Sequence, residues 1–111
     1  MSKRSWRLFL EDVLESTGLI EEYIRDMNFD NFGSDRKTID AVVRNLEIIG
    51  EATKNIPENI RNAHNDIDWK GIIGLRNRIA HEYFGIDTSI IWNIITIELP
   101  LFKKKLQEIQ R

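Results

Sequence analysis

The chain has 111 residues, 41% hydrophobic and 31% charged, with a formal net charge of −2 and no cysteine. That length supports one domain with a real core, spanning residues 1–111, and is too short for two. The balance excludes a disordered chain and the broad basic face of a general nucleic-acid binder, while the missing cysteine excludes disulfides, thiolate metal sites and cysteine nucleophiles.

No apolar run approaches the roughly 20 residues of a membrane-spanning helix. In "MSKRSWRLFLEDV" an acidic pair interrupts the apolar stretch before it reaches the length of a signal-peptide core. A cytoplasmic protein without a membrane partner is the expectation. Residues 1–30 carry four Lys/Arg against seven Asp/Glu, and residues 31–111 carry twelve against eleven. Any RNA contact is therefore expected outside the acidic first segment, in a local pocket.

Four long segments show helical periodicity and none alternates like a strand. In the first, Trp6, Leu10, Val13, Thr17, Ile20, Ile24 and Met27 recur at spacings of three and four, a bundle-type seam. Gly18 interrupts it, and a close packing partner would account for that glycine. "NFDNFGSD" breaks the pattern with turn residues. Ser34 is the expected N-cap of the second helix, with Asp35 in its first turn. Ile39, Val42, Val43, Leu46, Ile49 and Thr53 mark the buried face of that helix. Pro57 is expected to open a short helical turn.

Asp68 reads as the cap of a helix that begins at Trp69, continues through "GLRNRIAHEYFG" and closes at Gly85 as a C′ glycine. Asp87 or Thr88 caps the last helix, where Pro100 removes a backbone hydrogen bond and is expected to kink the chain. The Lys103–Lys105 run reads as a solvated helix end, with an RNA contact as the alternative. The fold expected is all-α: an antiparallel bundle of four main helices plus one short one.

Several patterns do not carry chemistry. His81-Glu82 begins like a zinc-protease signature, but Gly85 stands where the second histidine belongs. Gly71-Ile72-Ile73-Gly74 matches the GxxG of a KH domain, which needs a sheet; these glycines read as close helix packing. There is no Walker loop or dinucleotide fingerprint. His64 reads as a surface residue, and Trp69 and Trp92 as core. Glu47 and Glu51, four apart, read as a solvated stripe or an intersubunit contact, without the His or Asp cluster a metal would need.

Arg76 to Tyr83 is different. At about 100° per residue, Arg76 and Tyr83 nearly superimpose, while Asn77 and His81 form a second stripe roughly 100–140° around the helix. Arg78 and Glu82 point the other way and can pair. Half a helix circumference of polar groups cannot face a core unpartnered. Two readings stand. In one, Asn77 and His81 hydrogen-bond within the fold and Arg76 makes a structural salt bridge. In the other, Arg76, His81 and Tyr83 surround a phosphate, since Arg presents a bidentate fork and His exchanges protons near neutrality.

"RNRIAHEY" reads as Arg, four residues, His, one residue, Tyr, and it resembles the motif of HEPN-domain proteins, specifically the HepT-like toxins. "AVVRNLEIIGEATKNIPENIR", "DIDWKGIIGLRNRIAHEYFGID" and "IIWNIITIELPLFKKKL" are similar to segments of that family in the expected order. The resemblance implies a homodimeric helical domain whose motif helices meet at the interface. It further implies a metal-independent ribonuclease toxin of a type II/VII-like toxin–antitoxin pair, needing no cofactor and acting on an RNA substrate. Arg76 and His81 would be catalytic, with Asn77 and Tyr83 binding or orienting the substrate. A minimal nucleotidyltransferase antitoxin would silence it by transferring AMP to Tyr83.

Metal-free cleavage by attack of the ribose 2′-OH needs a base, an acid and cations for the phosphorane charge. One chain supplies one motif histidine, so a two-fold interface would supply the pair. The competing expectation is a dimeric, non-catalytic nucleotide- or RNA-binding subunit of the same nucleotidyltransferase.

Overall fold

Helix α3, Arg36–Lys54, is the centre of the molecule: α1, α2, α5 and α6 all pack on it. The computed structural model describes residues 5–84 and 87–110, without the side chains of residues 80–84. Its described residues are overwhelmingly helical and include no strand, so the all-α expectation holds. The elements are α1 (Trp6–Tyr23), α2 (Phe29–Gly33), α3, α4 (Glu58–Ala63), α5 (Trp69–Ile73), α6 (Leu75–Phe84), α7 (Ser89–Asn93), a π-helical turn (Ile94–Glu98) and α8 (Leu99–Gln110). Four main helical runs are present, but the third is broken at Gly74 and the short elements are more numerous than one.

The periodic positions are the core. Ile39, Val42, Val43, Leu46, Ile49 and Thr53 of α3 are all buried, facing Leu10, Val13, Thr17 and Ile20 of α1. Trp69 is buried edge-on against Phe102, and its indole N–H donates to the carbonyls of Arg61 and His64. Trp92 packs on Phe32, so both tryptophans serve the core as expected. His64 is half-buried rather than a fully exposed surface residue.

Helix ends depart from the expectations in instructive ways. α1 stops at Tyr23, because Asp26 takes a left-handed φ of 64° and turns the chain; Ile24 and Met27 still lie against the core. The "NFDNFGSD" break holds α2, closed at its start by a capping box between Asn28 and Asn31. Asp35, not Ser34, caps α3, accepting from the Thr38 N–H, whereas the Ser34 hydroxyl donates back to carbonyls of α2. Asp68 caps α5 and Pro57 precedes α4, as the sequence indicated. At the last helix both candidates take part. Thr88 occupies the cap position, but the Asp87 carboxylate accepts from the Ser89 N–H. Gly85 lies outside the described residues.

Three glycines expected to mark helix packing do not. A Cβ at Gly18 would meet nothing within 4 Å; one at Gly71 would meet the Asp68 carboxylate of its own cap; one at Gly74 would meet the Lys70 carbonyl one turn back at 3.2 Å. The packing glycine is Gly50, whose missing Cβ admits the Ile72 carbonyl at 3.3 Å. This close approach of α5 to α3 sets where α6 begins.

Pro100 acts upstream of itself. Its ring has no N–H for the Thr96 carbonyl and would clash with it in a regular helix. The chain responds with the π turn, in which the Leu99 N–H reaches back to Ile94 and the Thr96 hydroxyl donates to the Trp92 carbonyl at 2.6 Å. No helix among the described residues is long and apolar enough to cross a membrane.

Candidate active site

The expected single motif helix is two. Gly74 ends α5, and its carbonyl then accepts from the N–H groups of Asn77 and Arg78 to start α6. Leu75 and Ile79 anchor α6, at 0% and 2% exposure. On the other side of the same turn, Arg76 and Asn77 are both exposed. Neither side chain makes a hydrogen bond or ion pair with a described residue. Among the described residues, then, Arg76 has no structural bridge and Asn77 no internal hydrogen bond, which favours the phosphate reading at these two positions. His81 and Tyr83 are carried on the same helix. Their side chains lie outside the described residues, as do those of Glu82 and Phe84.

The structural bridge belongs to Arg78. Its guanidinium donates both Nη groups to Glu98, at 3.0 and 2.9 Å, in a two-pronged pair that joins α6 to the π turn. The hydrogen bonds to Glu98 raise the Arg78 pKa against an opposing desolvation, so the cation is held firmly charged. The sequence expectation paired Arg78 with Glu82. The helical spacing of that pair is legible locally, whereas Glu98 stands 20 residues away and is aimed at Arg78 by the widened turn before Pro100.

Beside Arg76 runs an open groove of about 570 Å³ between α1, α3 and α6. Phe9, Asp12, Arg44, Glu47, Glu51 and Asn55 line it together with Arg76. The Glu47–Glu51 stripe thus faces the motif, a placement that spacing along α3 could not reveal. Arg44, which the sequence reading did not single out, forms no ion pair with a described residue. Among the described residues no group of three His, Cys, Asp or Glu gathers as a metal-ligand set. The lysine run near the C-terminus is largely occupied: Lys103 pairs with Glu21 at 2.7 Å and Lys105 donates to the Asp66 carbonyl at 2.7 Å. That favours its reading as a helix end over an RNA contact.

Comparisons with known proteins give the family. The profile of the family described as ribonuclease HepT-like matches residues 13–109. A candidate RNase of Methanocaldococcus jannaschii is 45% identical over 98% of this chain and 90% of its own. A protein of Thermococcus cleftensis named Probable ribonuclease HepT is 40% identical over 98% of this chain and 99% of its own. A candidate RNase of Caldanaerobacter subterraneus is 41% identical over 93% and 92%. No solved structure matches. With an all-helical fold, a motif helix that exposes Arg76 and Asn77, and a family profile covering nearly the whole chain, the protein belongs to the HepT-like ribonuclease family.

Proposed function

We propose that this protein is the ribonuclease toxin of a toxin–antitoxin pair, cutting RNA without a metal ion at a site shared by two copies of the chain. The observation that carries the proposal is the state of the first turn of α6. Arg76 and Asn77 stand exposed and unpartnered among the described residues, while Leu75 and Ile79 fix the helix beneath them. A guanidinium held at a groove without an ion pair to any described residue suits an incoming phosphodiester.

In this mechanism the His81 imidazole of one copy removes the proton from the ribose 2′-OH, which attacks the adjacent phosphorus. The His81 of the other copy protonates the departing 5′-oxygen, giving a 2′,3′-cyclic phosphate and a 5′-hydroxyl end. Arg76 from both copies neutralises the phosphorane. Asn77, one turn before His81, orients the imidazole or a phosphate oxygen. Tyr83 is the acceptor for AMP from a partner nucleotidyltransferase, and the added adenylyl group would fill the cleft with a bulky anion.

The test is RNA cleavage in vitro, with chelator present. Wild type is expected to cut, and His81→Ala to lose about 10²-fold or more. A His81→Ala chain that cuts as wild type, or an active isolated monomer, would sink the shared-site mechanism. Two histidines in opposite protonation states also predict a bell-shaped pH–rate profile, with the rate falling on both the acid and the alkaline side. Mass spectrometry of the chain co-expressed with a neighbouring nucleotidyltransferase tests the silencing: Tyr83 should gain one adenylyl group, and an unmodified tyrosine in silenced cells counts against it.

A further inference from the structure

We infer that the groove beside Arg76 is a nucleotide subsite for single-stranded RNA, in which Arg44 holds a phosphate next to the one at Arg76 and Glu47 and Glu51 accept hydrogen bonds from the ribose 2′-OH and base amino groups. This inference rests on the ribonuclease reading of the same site. It adds the strand's path and the contacts that distinguish RNA from DNA.

The groove holds two arginines, three carboxylates and an amide within about 570 Å³. That volume lies within the roughly 300–1,000 Å³ typical of small-ligand sites. Its arginines are not consumed by its carboxylates: neither Arg44 nor Arg76 forms an ion pair with a described residue, although Glu47 and Glu51 line the same walls. A groove meant only for phosphates would lack those carboxylates, since each repels the backbone. One meant for a cation would lack the arginines.

A single-stranded ribonucleotide needs both. Its phosphates call for guanidinium forks, while its 2′-OH and exocyclic amines are donors that a carboxylate accepts. The chain arranges them on one helical stripe. Arg44, Glu47, Glu51 and Asn55 follow at spacings of three and four along one side of α3, continuing to its C-cap. Asn55 keeps its amide oxygen for a further donor, because its Nδ2 group already bonds the Glu51 carbonyl at 2.9 Å. Arg76 enters from α6 at the other wall, so the scissile phosphate and its neighbour sit across the groove from each other. Only one or two phosphates can be neutralised here, consistent with a chain of net charge −2.

The experiment measures binding of a short single-stranded RNA and of its DNA counterpart to the full-length chain across a salt series. All variants are made in a His81→Ala background so that the RNA stays intact. Arg44→Ala should weaken RNA binding on the order of fivefold. It should also lower the slope of log affinity against log salt by about 0.7. Arg44→Lys keeps the charge and should keep the slope, with intermediate affinity; circular dichroism checks that both variants fold. Glu47→Ala with Glu51→Ala should tighten DNA binding more than RNA binding, because the repulsion goes and the acceptors of the 2′-OH go with it.

Affinity and slope unchanged in Arg44→Ala would overturn the subsite, and equal tightening of RNA and DNA would overturn the role of the carboxylates. The underlying reading fails separately. If the unsubstituted chain binds RNA through Arg44 yet never cuts it, the subsite stands and the ribonuclease mechanism falls.

Discussion

Gly18 and Gly50 carry the same residue type in two helices packed on each other, and the structure assigns them opposite consequences. Gly18 has open space where a Cβ would stand, so Gly18→Ala should stabilise the fold by about 0.5–1 kcal/mol through helix propensity alone. Gly50 is buried with a backbone carbonyl 3.3 Å from that position, so Gly50→Ala should cost about 1–3 kcal/mol by forcing α5 away from α3. Urea unfolding of both variants checks the contrast; equal shifts would mean that the close approach at Gly50 is dispensable. The cap carboxylates set a pH dependence at the same scale. Hydrogen bonds from the Thr38 hydroxyl and backbone N–H lower the Asp35 pKa, and those from Ser89 lower that of Asp87. Their folded values lie below the unfolded value of about 3.9. The stability they add is therefore present above that pH and is lost as pH falls through the folded values. Asp35→Asn keeps a capping oxygen but no titration. It should make the acid limb of unfolding shallower between about pH 4 and the folded value, as urea midpoints across that range would show.

Among the elements, α6 depends on a helix that follows it by many residues. It has ten residues and two buried anchors in its first five positions, which pin its start to the core. The Arg78–Glu98 pair ties it to the π turn, and the π turn exists because Pro100 forbids a regular helix there. The pair is about one third exposed, which limits its worth to about 1 kcal/mol. A double-mutant cycle of Arg78→Ala and Glu98→Ala should return a coupling of about 0.5–1 kcal/mol, and a coupling of zero would make the pair ornamental. The spacing of Arg78 and Glu82 is visible on one helix, whereas no periodicity points from Arg78 to Glu98, and local pattern reaches its limit there. The cap at Asp68 was legible because capping is a contact over three residues, and the start at Pro57 because the fixed φ of proline suits a helix opening. The cap at α3 was displaced by one residue, because Ser34 and Asp35 both suit the role and only the end of α2 decides between them.

At the scale of the molecule, the proposed chemistry asks for more than one chain supplies. Specific RNA-cleaving activity should fall on dilution together with the dimer fraction measured by mass photometry; activity that is constant while dimers dissociate would return the site to a single copy. The mixed groove is likewise a property of the whole molecule. Its carboxylates and arginines reach across α1, α3 and α6, and their meeting depends on how three helices pack.

Helix positions, buried faces and most caps were determined by the sequence itself, because each follows from about 100° of rotation per residue and contacts a few positions apart. Thus Ile39 to Thr53 could be assigned to the core, and Arg76 and Asn77 to a polar arc, from periodicity alone. The sequence also carried the family motif from Arg76 to Tyr83. Only the tertiary structure decided that Arg76 lines a groove without a partner among the described residues while Arg78 is bound, that Gly50 and not Gly18 is the packing glycine, and that Arg44, Glu47 and Glu51 share that groove. Those relations join residues about twenty to seventy positions apart, and their distances are set by the packing of whole helices.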